Sequence, residues 1–237
     1  MRGGRDARLD PMKRFIFGAL ALSFLVSACA GGAATGAQEP RKSVPDDALT
    51  GLLLSVADVS DIMGISLSPH QPVSQMGDHR NLLPNLNCLG VWQVNEAPVY
   101  DPSHWKSVRQ QMLRTPDTDQ WESLVVQSVV SYRTADSARD FFMQSADRWS
   151  KCTNHHVNIQ LNNQQLPAWL SGELTRTDTQ LAIPIVRGNG DQMRSCQRVL
   201  TTSANLVIDV QACKPHQHAG VTQAAAIADK IESSLPS

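Results

Sequence analysis

The 237-residue chain carries 21 Lys and Arg against 22 Asp and Glu, a formal charge of −1, and 41% of its residues are hydrophobic. That balance excludes a polycation built to grip nucleic acid and supplies enough apolar side chain for a packed core. The five cysteines, Cys29, Cys88, Cys152, Cys196 and Cys213, cannot all pair with one another, because disulfides take them in twos.

Lys13 and Arg14 precede fourteen uncharged residues, FIFGALALSFLVSA, the pattern of a secretory signal peptide over residues 1–28. As a helix this run is about 21 Å long, short of the roughly 30 Å hydrocarbon core that a permanent span must cross. A translation start at Met12 would set MKR directly against it. VSAC, residues 26–29, resembles the lipobox of bacterial lipoproteins, in which small residues admit the signal peptidase and the cysteine thiol takes a diacylglycerol. Cys29 is therefore the expected lipid attachment residue, and two or three acyl chains make a stable anchor where one does not. Losing five basic and two acidic residues with the signal peptide leaves 16 against 20, a charge near −4.

Residues 29–47 read as the lipidated N-terminus and a flexible tether, rich in Gly, Ala, Pro and charge, with a reach of about 20–25 Å. Residues 48–237 are sized for a single domain. It opens with LLLSVADVSDIMG, where Ser55 is placed to cap a short helix, Leu54 to staple onto Val59, and Gly64 to close it. A Pro- and Asn-bearing loop leads to Cys88. GVWQVNEAPVY and WKSVRQQMLR suggest strands or edge segments, and SLVVQSVVSYR is a strong β-branched strand.

In TADSARDFFMQSADRWSKC the stripe Ala138, Phe141, Phe142, Ser145, Trp149 and Cys152 marks an amphipathic helix that ends with Cys152 facing inward. HVNIQL and AWLSGELTR are further strand candidates. SCQRVLTTSANLVIDVQACK reads as a hairpin turning at Ala204 and Asn205, which sets Cys196 directly opposite Cys213, within disulfide reach. Cys88 and Cys152 are left to each other. Oxidation outside the cytoplasm agrees with the signal peptide. The final helix carries the stripe Val221, Ala224, Ala225, Ala228, Ile231 and Leu235. The elements add up to an α+β fold, a mostly antiparallel β-sheet with packed helices and two disulfides.

The opening LLLSVADVSDIMG, the cysteine ending the SARDFF…W…C helix, and the cysteine-bridged hairpin before an Ala-rich terminal helix together resemble the PknH-like extracellular sensor domain family of mycobacteria. The resemblance covers about residues 48–235. It implies an α+β domain with a large open cleft, the same two disulfides, and a ligand-sensing role whose ligand is unidentified. In that family the domain occurs outside a membrane Ser/Thr kinase and also in free-standing lipoproteins. This sequence shows no kinase motif, so signalling inside the cell is not expected from it directly.

No GxSxG, GxxxxGK[ST] or HExxH pattern points to catalysis, and no cofactor is implied. The pairs His155/His156 and His216/His218 read as surface histidines rather than metal ligands. As candidate cleft residues the strands offer Gln127 and Ser131 on one face, Tyr132 on the other, and Trp169 with Glu173 on a later strand. Trp92, Trp105, Trp121 and Trp149 read as core or edge packing. The expected function is a cell-membrane lipoprotein, lipid-anchored on the extracytoplasmic face, whose non-catalytic domain binds a small envelope molecule or a partner protein. The alternatives are an extracytoplasmic hydrolase with an unrecognised active site and a structural or adhesive surface protein.

Overall fold

The computed structural model describes residues 41–81, 86–161, 164–216 and 220–236, without the side chains of 159–161 and 164–167. The signal segment, the start at Met12 and Cys29 lie outside these residues. The arm that begins at Arg41 is already part of the packed structure. Val44 is 3% exposed, its N–H donates to Asn205 Oδ1 at 2.7 Å, and Asn205 Nδ2 donates back to Val44 O at 3.0 Å. Arg41 Nη1 donates to the Glu232 carbonyl at 2.5 Å. The packed part thus begins before residue 48, because Val44 buries its side chain while Asn205 satisfies its backbone.

After a 3-10 turn at Asp46–Ala48, helix α1 spans Leu49–Leu52 and α2 spans Val56–Met63. The Ser55 side chain accepts from Asp58 N, and Gly64 closes α2 at φ 69°, as the sequence predicts. Strand β1 is only Ser68–Pro69. The segment expected as a strand or edge segment over residues 90–100 instead carries two short helices, α3 at Leu89–Trp92 and α4 at Ala97–Tyr100, joined by a bend. Its β-branched and aromatic residues serve burial here: Val91, Trp92, Val99 and Tyr100 are all in the core, and Pro98 suits a helix start but not a strand interior.

Strands β2 (Ser107–Thr115) and β3 (Ser123–Ser131) follow, then α5 (Ala135–Ser150), capped by Thr134 and buried along Ala138, Phe141, Phe142, Ser145, Ala146 and Trp149. Next come β4 (His156–Leu161), β5 (Gln164–Ser171), β6 (Thr175–Arg176), β7 (Gln180–Arg187), β8 (Arg194–Ser203), β9 (Leu206–Pro215) and α6 (Gln223–Ser233). Strand β7 is absent from the sequence reading. It alternates buried Leu181, Ile183 and Ile185 with outward positions, one of which is the exposed Pro184, a residue that reads as a breaker.

The sheet is antiparallel throughout and open, in the order β1-β2-β3-β9-β8-β7-β5-β4, with β6 on β7. Helices α3, α4 and α5 cover one face, over a core that includes Tyr132, Phe141, Phe142, Trp149 and all four described cysteines. Helices α1, α2 and α6 cover the other, over Leu49, Val59, Val129, Ile208, Ala228 and Ile231. Both expected disulfides are present, Cys88–Cys152 and Cys196–Cys213, the latter at directly opposed positions of β8 and β9.

The β8–β9 turn places Ala204 at φ 51°. An L-residue in that left-handed region costs roughly 1 kcal/mol, and glycine avoids the cost at the expense of more freedom in the unfolded chain. Ala204→Gly should therefore raise the unfolding free energy by about 0.5–1 kcal/mol, read as a higher urea midpoint with an unchanged slope.

Candidate functional site

The β2–β3 pairing sets Ser107 opposite Ser131. The residues just outside that pair, 103–106 on one side and 133–137 on the other, are thereby brought together at one end of the sheet. They line a cavity of about 700 Å³ formed by Ser103, His104, Trp105, Lys106, Arg133 and Ser137. Three of the six are basic and none is acidic. Ser137 lies in the first turn of α5, where the helix end favours negative charge.

Each wall is fixed by its own bonds. His104 takes φ 56° after the Asp101–Ser103 3-10 turn. Trp105 Nε1 donates to Asp101 Oδ1 at 3.1 Å, and Lys106 N donates to Ser131 O at 2.8 Å. The Lys106 ammonium lies 3.0 Å from Asp46. Arg133 is exposed and makes no hydrogen bond or ion pair among the described residues, so its charge is available to a ligand.

Ser103 Oγ bonds the Tyr100 carbonyl at 2.6 Å and the Tyr132 hydroxyl at 3.0 Å. Ser137 Oγ bonds Thr134 at 2.9 Å. Neither hydroxyl is hydrogen-bonded to the His104 imidazole, so these groups do not form a hydroxyl–imidazole nucleophile pair. The arrangement suits recognition of a polar, negatively charged molecule beside an aromatic ring.

Behind the cavity runs a buried polar network. The Tyr100 hydroxyl donates to Asp209 Oδ2 at 2.8 Å. Asp209 is ion-paired with Arg198, both side chains being 1% exposed. Arg198 also donates to the carbonyls of Gly90 at 2.9 Å, Gln93 at 3.1 Å and Val210 at 2.9 Å. Burial pushes the Tyr100 and Tyr132 hydroxyls well above the usual tyrosine range, so both stay neutral donors.

Asp46 ties the arm to this end of the sheet. It accepts from Ser131 Oγ at 2.6 Å, and that bond, then the Lys106 ammonium, holds its carboxyl below the usual carboxylate range. A depressed folded pKa contributes stability that is present above the unfolded value and is lost as pH falls through the folded one. The stability gap between the wild type and Asp46→Asn should accordingly narrow from neutral pH to about pH 3, measured by urea unfolding at each pH.

The five sequence-proposed cleft residues do not assemble. Gln127 is fully buried and exchanges two 2.9 Å hydrogen bonds with the Leu54 backbone. Ser131 is buried against Asp46 on the same face of the sheet. Tyr132 is in the opposite core beside Phe141 and reaches the cavity only through Ser103. Trp169 packs on Trp92, with ring centres 5.4 Å apart. Glu173 lies beyond the end of β5, exposed, where it accepts from Asn154. A polar residue on a central strand of a sheet covered on both faces is buried, and that is why strand position alone misled.

His216 Nδ1 lies 2.7 Å from Ser195 Oγ, and His218 is outside the described residues. Among the described residues no group of three His, Cys, Asp or Glu is placed to hold a metal ion. The cavity-lining residues were missed because their proximity depends on strand register. The SHWK and RT segments flanking β2 and β3 were its one signal in the sequence.

The PknH-like extracellular domain family profile matches residues 44–233. The serine/threonine-protein kinase PknH of Mycobacterium bovis is 29% identical over 176 residues, covering 74% of this chain and 29% of the kinase. The Mycobacterium tuberculosis protein of the same name is 29% identical over 176 residues, covering 28% of that kinase. The chain thus spans less than a third of the length of these relatives. The crystal structure of the extracellular domain of PknH from Mycobacterium tuberculosis superposes with a TM-score of 0.72 at 27% identity, covering 81% of this chain and 97% of that one. The similarity therefore falls on the extracellular part of the kinase. With a match over most of its length, the chain belongs to the PknH-like extracellular domain family.

Proposed function

We propose that this protein is a lipid-anchored cell-envelope protein whose folded domain senses or captures a small anionic molecule in the cavity at the head of α5, without catalysing a reaction on it. The observation that carries the binding reading is the cavity lining, with Lys106, Arg133 and His104 facing one space that no carboxylate lines. Membership of an extracellular domain family supports a position on the extracytoplasmic side. The VSAC motif supports anchoring through Cys29. Among the described residues no helix is long and apolar enough to cross a membrane.

Two measurements test the reading separately. Metabolic palmitate labelling should mark the wild type and not Cys29→Ser, and an unlabelled wild type removes the anchor. Native mass spectrometry of the extracted full chain should show a small anionic companion that Lys106→Met/Arg133→Met loses. Spectra that match between wild type and double variant, both bare or both carrying only phospholipid, overturn binding in this cavity.

A further inference from the structure

At the other end of β3 from the cavity, the register lines up Trp169 of β5, Arg187 of β7 and Arg194 of β8 in one row across the sheet. Residues directly opposed on neighbouring strands share a face, so two arginines stand side by side, an arrangement that repels unless something offsets it. The described residues offer no such offset. No carboxylate pairs with either arginine.

The two are held differently. Arg194 is fixed by carbonyls alone: Nη2 donates to Trp121 O at 3.2 Å, and Nη1 to Asp191 O and Met193 O, each at 3.0 Å. These bonds orient the guanidinium and leave its charge unneutralised. The Arg187 side chain makes no hydrogen bond among the described residues. Its guanidinium carbon lies 4.5 Å from the Trp169 ring centre and 5.1 Å from that of Trp121.

Two indole rings thus flank the guanidinium of Arg187, and its N–H edge hydrogen-bonds to no described residue. That edge is the fork that engages an oxyanion through two parallel hydrogen bonds. Burial, then the neighbouring Arg194, push the Arg187 pKa down to about 10, so it remains charged at neutral pH. Arg187, Arg194 and Trp121 each keep part of their surface open to solvent.

We propose that Arg187 and Arg194, framed by Trp121 and Trp169, form a binding site for a phosphate group, either free or carried on a lipid headgroup. Two fixed cations match one group carrying a charge near −1.5 to −2 at neutral pH better than they match a single carboxylate. Trp169, a cleft candidate in the sequence, belongs to this site and not to the cavity at the head of α5. The site lies at the opposite end of the strands from that cavity, so its failure leaves the function proposed above untouched.

The test is arginine and tryptophan side-chain NMR on the full chain in detergent micelles. Inorganic phosphate is titrated against chloride at matched ionic strength, and a second arm uses phosphatidylcholine vesicles with and without phosphatidic acid. The Arg187 Nε–H and the Trp121 and Trp169 indole N–H resonances should move and saturate. Arg187→Met should abolish the movement at the two indoles, Arg194→Met should weaken binding roughly tenfold, and Arg133→Met should leave it intact. Far-UV circular dichroism checks that the variants fold, and Arg187→Met should unfold at a higher temperature than the wild type because an unpaired charge is gone. A response to inorganic phosphate identifies the phosphate group itself as sufficient, and a response only to phosphatidic acid identifies the headgroup. No saturable response in either arm, or the same response in Arg187→Met, overturns the site.

Discussion

Replacing Asp209 with alanine is expected to cost about 3–5 kcal/mol, a large share of the stability of a domain this size. The carboxylate is 1% exposed and is the only described anion paired with the equally buried Arg198. Its removal leaves a guanidinium deep in the protein, held by the carbonyls of Gly90, Gln93 and Val210 but uncompensated in charge. It also strips the partner from the Tyr100 hydroxyl. The double variant Arg198→Met/Asp209→Leu should recover part of the loss, because it removes both charges together. Recovery should stop short of the wild type, since Gly90 O and Gln93 O lose their donor. Urea unfolding of the three proteins checks this, and a single-variant loss under about 1 kcal/mol would contradict the burial of the pair.

Removing the Cys88–Cys152 bond, as Cys88→Ala/Cys152→Ala, should cost about 4 kcal/mol, against about 3 for the Cys196 and Cys213 pair. The first bond closes a loop with a sequence separation of 64 and the second one of 17, so the first restrains the unfolded chain more. The folded state widens the difference. Cys196 and Cys213 sit within a continuous ten-residue strand pairing that holds their register without the sulfur link. Cys88 lies in a short 3-10 turn ahead of the four-residue α3, with no strand or long helix to fix it against α5. Equal urea midpoints for the two double variants would show that loop length does not govern the effect.

Local chemistry carried most of the fold into the sequence. The caps at Ser55 and Gly64 and the stripe of α5 depend on residues a few positions apart. The hairpin register followed from one symmetry, and that symmetry also paired the cysteines. What failed depends on distant neighbours. Residues 90–100 have strand-forming side chains but coil into two single turns, since their burial is set by the sheet and by the bond to Cys152. Strand β7 was hidden by Pro184. The cavity at the head of α5 draws on segments about thirty residues apart in sequence that meet only once β2 lies on β3.

The hydrogen bond from Arg41 to the Glu232 carbonyl at the end of α6 brings the first and last described stretches of chain together. A body with a single exit point behaves like a fruit on a stem. It can be grafted behind one linker, or spliced into a host's surface loop, without any strand having to stretch across it.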